Sequence, residues 1–166
     1  FNAFSSIDYP ETAMFRDRRL IQFLQRPAEY THAVFSTALD PNVFVLRLVP
    51  GMRADIIPLL EGRYRALVLE SFGVGGLPGG DDGAMFAAVR DWCGAGHLAV
   101  FTTQVPHEGS DLAVYEVGRA AKALPGVLEA HDMTPEATAV KLMWVLGQTT
   151  DRAEAEKLFL TPVQWD

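Results

Sequence analysis

From residue 42 onward, short apolar runs alternate with amphipathic ones, and this alternation restricts the fold more than any other feature. "NVFVLRLV" (42–49) reads as a strand stopped by Pro50-Gly51. "MRADIIPLLEG" (52–62) reads as a short helix, irregular at Pro58 and closed by Gly62. "ALVLES" (66–71) is a second strand, mostly apolar, as a strand covered on both faces should be. In "DDGAMFAAVRDWCGAG" (81–96), Asp81 or Asp82 can cap a helix whose buried stripe is Met85, Phe86, Val89, Trp92 and Cys93. "HLAVFTT" (97–103) is a third strand, "SDLAVYEVGRAAKAL" (110–124) is mainly helical from Ser110 or Asp111, and "GVLEA" (126–130) is a short fourth strand. "DMTPEATAVKLMWVLGQ" (132–148) carries the fullest helix signals: Thr134 as N-cap, Pro135 in the first turn, Glu136 at the positive end and Gly147 closing it. Val140, Met143, Trp144 and Leu146 are its expected buried face, and "DRAEAEKLF" (151–159) adds a helix capped by Asp151. Connections of this length imply parallel strands with right-handed crossovers. The expected fold is α/β: three layers, α/β/α, around a mainly parallel sheet of about four strands, Rossmann- or flavodoxin-like.

The first 42 residues break the rhythm. "THAVFSTALDPNVFVLRLV" (31–49) reads as an antiparallel hairpin turning at Asp40-Pro41-Asn42. Before it, residues 1–27 read as an extended connecting arm that leaves Phe1, Phe4, Tyr9 and Phe15 exposed and so suggests a partner surface. Arg16, Arg18 and Arg19, interrupted by Asp17, read as a solvated helix face. The expected division is an arm over 1–30 and one domain over 31–166. With 166 residues, 49% of them hydrophobic, one ordinary core can form. A net charge of -7 argues against nucleic-acid binding. The single cysteine, Cys93, excludes an internal disulfide framework and points to a reducing, cytoplasmic setting. No apolar run approaches the ~20 residues that span a bilayer. The start, "FNAFSSIDYP", has neither a basic nor an apolar leader region and no initiator Met, so the chain reads as a fragment.

Ligands of open α/β sheets bind beyond the carboxyl ends of the strands. Two loops fall there: "ESFGVGGLPGG" (70–80) and "TQVPHEGSD" (103–111). The first has Gly73, Gly75 and Gly76 but proline at position 78, so it is not a dinucleotide fingerprint, and without Gly-Lys-Ser/Thr it is not a P-loop. One or two of its five glycines are explained by a tight turn. Close backbone approach to a ligand or second subunit explains the rest better. Of the four histidines, only His107 and His131 fall near strand ends, and with one helical cysteine they make no metal-ligand cluster. Glu108 and Asp111 can pair as acid and base. A G-x-S-x-G nucleophile elbow is absent. The residues alone describe a binding rim without an engine.

Four stretches, "RLVPGM" (47–52), "LVLESFGVGGLP" (67–78), "AVFTTQVPHEGSDLAVYEVG" (99–118) and "GVLEAHDMTPEATAVKLMWVL" (126–146), resemble in order and spacing the C-terminal domain of bacterial-type L-asparaginases. The likeness is nearest to the cytoplasmic type I enzymes. "AFSSIDYP" (3–10) resembles the end of the family's N-terminal domain. The run Asp132-Met133-Thr134, with Glu136-Ala137 and Lys141-Leu142, is the most specific part.

The resemblance implies hydrolysis of L-asparagine to aspartate and ammonia by a longer protein, with no cofactor or metal. Its threonine nucleophile belongs to glycine-rich motifs of the N-terminal domain, absent here, so this chain alone should be inactive. The C-terminal domain of such enzymes closes a neighbouring subunit's pocket, which implies a homo-oligomer and, as the chain's own share, Gly75, Gly76 and Glu108. Relatives often carry asparagine where Gly76 stands, so Gly76 offers backbone alone. Regulated relatives also bind asparagine at a second site, with arginine, asparagine and cysteine at the positions of Glu70, Gly76 and Val105. Glu70 would repel the carboxylate that an arginine clamps, so that response is expected to be lost. The resemblance leaves two alternatives: a stand-alone module binding a small amino acid, and the asparaginase-like subunit of a tRNA-dependent amidotransferase.

Overall fold

The structure, a computed structural model, describes residues 7, 10–24, 35–78 and 83–163. Four parallel strands form its centre: β3 (Val43–Arg47), β4 (Ala66–Ser71), β5 (Leu98–Thr103) and β6 (Val127–Glu129), side by side in chain order. Before them lies a small antiparallel hairpin, β1 (Ala13–Arg16) and β2 (Arg19–Gln22). The helices are α1 (Ala84–Gly94), α2 (Glu116–Lys122), α3 (Pro135–Gln148) and α4 (Arg152–Leu160).

Period-two alternation along the strands separates two cores. Leu67, Leu69, Ala99 and Phe101 face α1 and α2, where Val89, Trp92, Leu112 and Ala121 meet them. Ala66, Val68, Leu98 and Val100 face α3 and α4, against Leu142, Val145 and Phe159. Each fully buried Val or Leu contributes roughly 1.5–3 kcal/mol to this arrangement. Because the strand order never reverses, right-handed crossovers put every connection on one face. The opposite face is then open, and the two C-terminal helices cover it. The expected three layers and parallel sheet of four strands are present, and a small antiparallel hairpin precedes them.

The hairpin's position differs from expectation. Residues 35–42 form no ladder with β3, which pairs with β4 in parallel; residues 31–34 lie outside the described part. Instead, 35–40 run as a strap along α3. Trp144 Nε1 donates to the Ser36 carbonyl (3.2 Å), Gln148 Nε2 to the Ala38 carbonyl (2.9 Å), and the Asp40 amide to the Met143 carbonyl (2.9 Å). The hairpin sits in the arm, and the arginine cluster is its tip, not a helix face. Asp17 and Arg18 are both left-handed (φ 49° and 63°), as a two-residue hairpin turn requires. Phe15 and Leu20 pair across it and remain exposed; Phe1, Phe4 and Tyr9 are outside the described residues.

The helices also differ in detail. Pro58 splits 52–62 into two single 3-10 turns, Ala54–Ile56 and Pro58–Leu60. Gly83, at φ +83°, precedes α1, while Asp81 and Asp82 fall outside the described residues. Asp151 and Thr134 do cap α4 and α3: their side chains accept from the amides of Glu154 and Ala137. Gly147 does not end α3, which continues to Gln148; it lets the strap's Ala38 carbonyl pack onto the helix. Leu142, Val145 and Leu146 are buried, whereas Val140 is exposed and Met143 and Trp144 are half-covered beside the strap.

Arg65 locks the strap's end, bonding Asp40 at 2.7 Å and the Leu146 carbonyl at 3.0 Å. Burial works against the Asp40 charge, but hydrogen bonds from Arg65 and the Asn42 amide outweigh it and hold the carboxyl below its ordinary value. A depressed carboxyl stabilises the fold above its unfolded value and loses that contribution as pH falls through the folded one. Asp40→Asn is therefore expected to lower stability at pH 7 and to flatten the acid limb below about pH 4, as measured by urea unfolding across pH.

Candidate active-site rim at the carboxyl edge of the sheet

The carboxyl ends of β3 to β6 carry the loops singled out from sequence. They are laced together by side-chain to backbone bonds. Gln104 Nε2 donates to the carbonyls of Leu48 (2.6 Å) and Glu70 (2.7 Å), joining the ends of three strands. Thr103 donates its hydroxyl to the Gly73 carbonyl and receives the Val105 amide at 3.0 Å. Ser71 donates to the Thr102 carbonyl at 2.7 Å, and Thr102 to the Met133 carbonyl at 3.5 Å. These three hydroxyls are committed to carbonyls. Among the described residues, none of the three has a base as its hydrogen-bond partner.

The glycine loop is a tight turn. The Gly75 and Gly76 amides donate to the Phe72 carbonyl at 3.1 and 2.8 Å, and the Gly76 carbonyl receives the Phe72 amide at 3.0 Å. Gly75 is buried: a Cβ there would stand 2.8 Å from Leu112 Cδ2. At Gly76 the close neighbour is the Phe72 carbonyl, 3.2 Å from an added Cβ. Both close approaches are thus to the chain's own atoms. Gly79 and Gly80 are outside the described residues.

A cleft of about 260 Å³ opens beside this turn. Glu70, Val105 and Glu108 all line it, together with Arg47, Gln104 and the first turn of α3 at Thr134–Glu136. Gly75 and Gly76 are not among its walls. Three carboxylates (Glu70, Glu108 and Glu136) face one guanidinium there, Arg47, which stands 3.6 Å from Glu70. Glu70 is largely shielded and Glu108 exposed. Such a wall attracts ammonium groups and repels free carboxylates.

His107, at φ +67°, has Nδ1 2.9 Å from the Ile7 carbonyl, so it fastens the arm to the rim. His131 is exposed and left-handed at φ 52°. His97 stacks on Trp92 far from the rim, and His32 is outside the described residues. Among the described residues no group of three or more His, Cys, Asp or Glu is placed to hold a metal. Burial pushes the Cys93 thiol up to about 11, which leaves it unreactive at neutral pH.

Residues 110–115, expected to be helical, are a turn instead, because their amides are taken. Asp111 N–H donates to the Val74 carbonyl (2.7 Å), Ser110 N–H to the His131 carbonyl (2.8 Å), and Leu112 N–H to Glu129 Oε2 (2.8 Å). Gly118 lets α2 start against the Leu112 carbonyl. The Ser110 hydroxyl is buried without a partner among the described residues, a cost of about 1–3 kcal/mol. Sequence reasoning passed over Glu129; an acid between Leu128 and Ala130 in a three-residue strand was its signal, since a buried charge must be paired.

Comparison with known proteins decides the family. Residues 42–159 match the family described as Glutaminase/Asparaginase C-terminal domain. The chain belongs to that family. It is 39% identical over 158 residues to an L-asparaginase of Thermococcus kodakarensis, covering 95% of this chain and 47% of the relative. It is 33% identical over 166 residues to a glutamyl-tRNA(Gln) amidotransferase subunit of Metallosphaera sedula, covering 96% and 36%. The solved thermostable L-asparaginase of T. kodakarensis superimposes with a TM-score of 0.88 at 36% identity, over 97% of this chain and 48% of that one. The chain thus spans about half the length of this L-asparaginase and about a third of the amidotransferase subunit. No helix among the described residues is long and apolar enough to cross a membrane.

Proposed function

We propose that this chain is the C-terminal domain of an L-asparagine amidohydrolase, with 1–30 as connecting arm and 31–166 as the domain. It walls an active site whose threonine nucleophile is supplied from a preceding domain. In the whole enzyme, water and L-asparagine give L-aspartate and ammonia. Glu108, exposed on the rim, receives the substrate's α-ammonium by a charge-assisted bond. The turn at Gly75 and Gly76 contributes backbone only. The observation that carries the reading is the state of the rim hydroxyls: Ser71, Thr102 and Thr103 donate to carbonyls, Thr134 accepts the Ala137 amide as the cap of α3, and Ser110 is buried without a partner among the described residues, while amide hydrolysis needs an activated hydroxyl facing an oxyanion stabiliser. A second copy completes the pocket, and the cytoplasm is the compartment that suits the lone buried thiol.

The test compares the 166-residue chain with the longer protein. Ammonia release from asparagine is expected from the longer protein and none from the chain alone; release by the chain alone overturns the assignment. In the longer protein, Glu108→Gln is expected to raise KM roughly tenfold and to change kcat by less than about threefold, the signature of lost ground-state binding. An unchanged KM removes Glu108 from the substrate contact.

Glu70 and Val105 line the same cleft as Glu108 and form no second asparagine site beside the substrate's own. Glu70, already facing Arg47, presents a carboxylate to the substrate's own. Calorimetric titration is expected to saturate at one asparagine per protomer, and two would refute the claim. The 33% identity with the amidotransferase subunit favours one other reading, a protein feeding ammonia to a tRNA-bound substrate. Stimulation of hydrolysis by glutamyl-tRNA and a partner subunit would select it.

A further inference from the structure

The geometry points to Glu129 as the positioning residue that sets the shape of the glycine turn, and through it the substrate wall, because the turn's Gly73 carbonyl receives the hydroxyl of Thr103, a residue that lines the cleft; this rests on the reading of the rim as the wall of an amidase pocket. Glu129 ends β6 and is buried. Its two carboxylate oxygens have separate duties. Oε2 accepts the Leu112 amide at 2.8 Å, and Oε1 stands 2.6 Å from Lys122 Nζ on α2. The same Leu112, fully buried, presses its side chain onto Gly75, and its neighbour Asp111 donates to the Val74 carbonyl at 2.7 Å. One carboxylate on β6 therefore reaches the glycine turn after β4 in two steps.

A carboxylate is costly at this depth, and a core role alone would be met by an apolar side chain. What it does here is hold a turn whose shape is not favourable in itself. Ser110 lies in that turn with its hydroxyl buried and unpartnered among the described residues, and His131, whose carbonyl receives the Ser110 amide, is left-handed at φ 52°. Strain of this kind persists only where surrounding contacts over-determine it. Glu129 is the contact that does so from the side of the sheet. Lys122 answers in kind: the hydrogen bond and charge of Glu129 raise its pKa. Glutamine would keep an acceptor for Leu112 and lose the one for Lys122.

The test reads the turn directly by amide hydrogen exchange. In Glu129→Ala, exchange at Asp111, Leu112, Gly75 and Gly76 is expected to quicken at least about tenfold, with β4 and β5 unchanged, because a local opening is selective. Glu129→Gln is expected to fall between, retaining protection at Leu112. In the longer protein, Glu129→Ala is expected to raise KM for asparagine roughly tenfold with kcat within about threefold. Unchanged exchange at Gly75 and Gly76, uniformly faster exchange throughout the domain, or an unchanged KM in a protein that hydrolyses asparagine each overturns the inference. If the unsubstituted longer protein fails to hydrolyse asparagine, the amidase reading fails, and the exchange result alone decides whether Glu129 holds the turn.

Discussion

Replacing Trp92 by alanine is expected to lower the unfolding free energy by about 3–5 kcal/mol, a large part of what a domain of this size has. The indole is 1% exposed, at the centre of the core between α1 and the sheet. Its Nε1 donates to the Leu98 carbonyl at 2.9 Å, and its ring stacks on His97 with centroids 4.3 Å apart. Truncation removes the apolar burial, leaves a cavity lined by residues that cannot collapse across a parallel sheet, and orphans a polar contact. Trp92→Phe keeps most of the ring and is expected to lose roughly half as much. Urea unfolding followed by far-ultraviolet circular dichroism reads both. A loss below about 1 kcal/mol for the alanine variant would mean that α1 packs differently.

The burial of Trp92 is legible in the sequence, and the reason is instructive. Met85, Val89, Trp92 and Cys93 repeat at helical spacing between two apolar strands, so local pattern and tertiary role agree. The four parallel strands are legible for the same cause: Leu67 and Leu69 belong to one core and Ala66 and Val68 to the other, so the run had to be apolar throughout. Where local pattern and tertiary partner disagree, the partner wins. Residues 110–115 have helical composition, yet Glu129 and Val74 take the amides of Leu112 and Asp111. Residues 35–42 look like half a hairpin, yet Trp144, Gln148 and Arg65, all more than 20 positions away, hold them.

The candidate site divides along the same line. Its location is legible, because loops after parallel strands gather at one edge whatever their sequence. That Glu108 shares one cleft with Glu70 and Val105, while Gly76 stays outside it, is not, since it depends on how Gln104 ties the loop after β5 to the ends of β3 and β4. From sequence, the glycines of the turn read as room for a ligand. At Gly75 and Gly76 the space is filled by Leu112 and Phe72, a distinction only the packing can make.

Gly147 carries the last and most discriminating expectation. A glycine inside a helix ordinarily costs about 0.5–1 kcal/mol relative to alanine, so removing it should help. Here the sign reverses. A Cβ at Gly147 would enter the space of the Ala38 carbonyl and crowd the Leu39 amide at 2.9 Å, both backbone atoms of the strap. The strap must then lift off α3, and its bonds from Trp144 and Gln148 and to Met143 go with it. Gly147→Val is expected to cost about 2–3 kcal/mol, combining overpacking with lost hydrogen bonds. Gly94, at the end of α1, has nothing within 4 Å of an added Cβ and serves as the control. Gly94→Ala is expected to be neutral or stabilising by up to about 1 kcal/mol. Thermal unfolding of the two variants should move in opposite directions. If both rise, the strap does not rest on α3, and Arg65 then holds Asp40 without the helix contact that makes the clamp rigid.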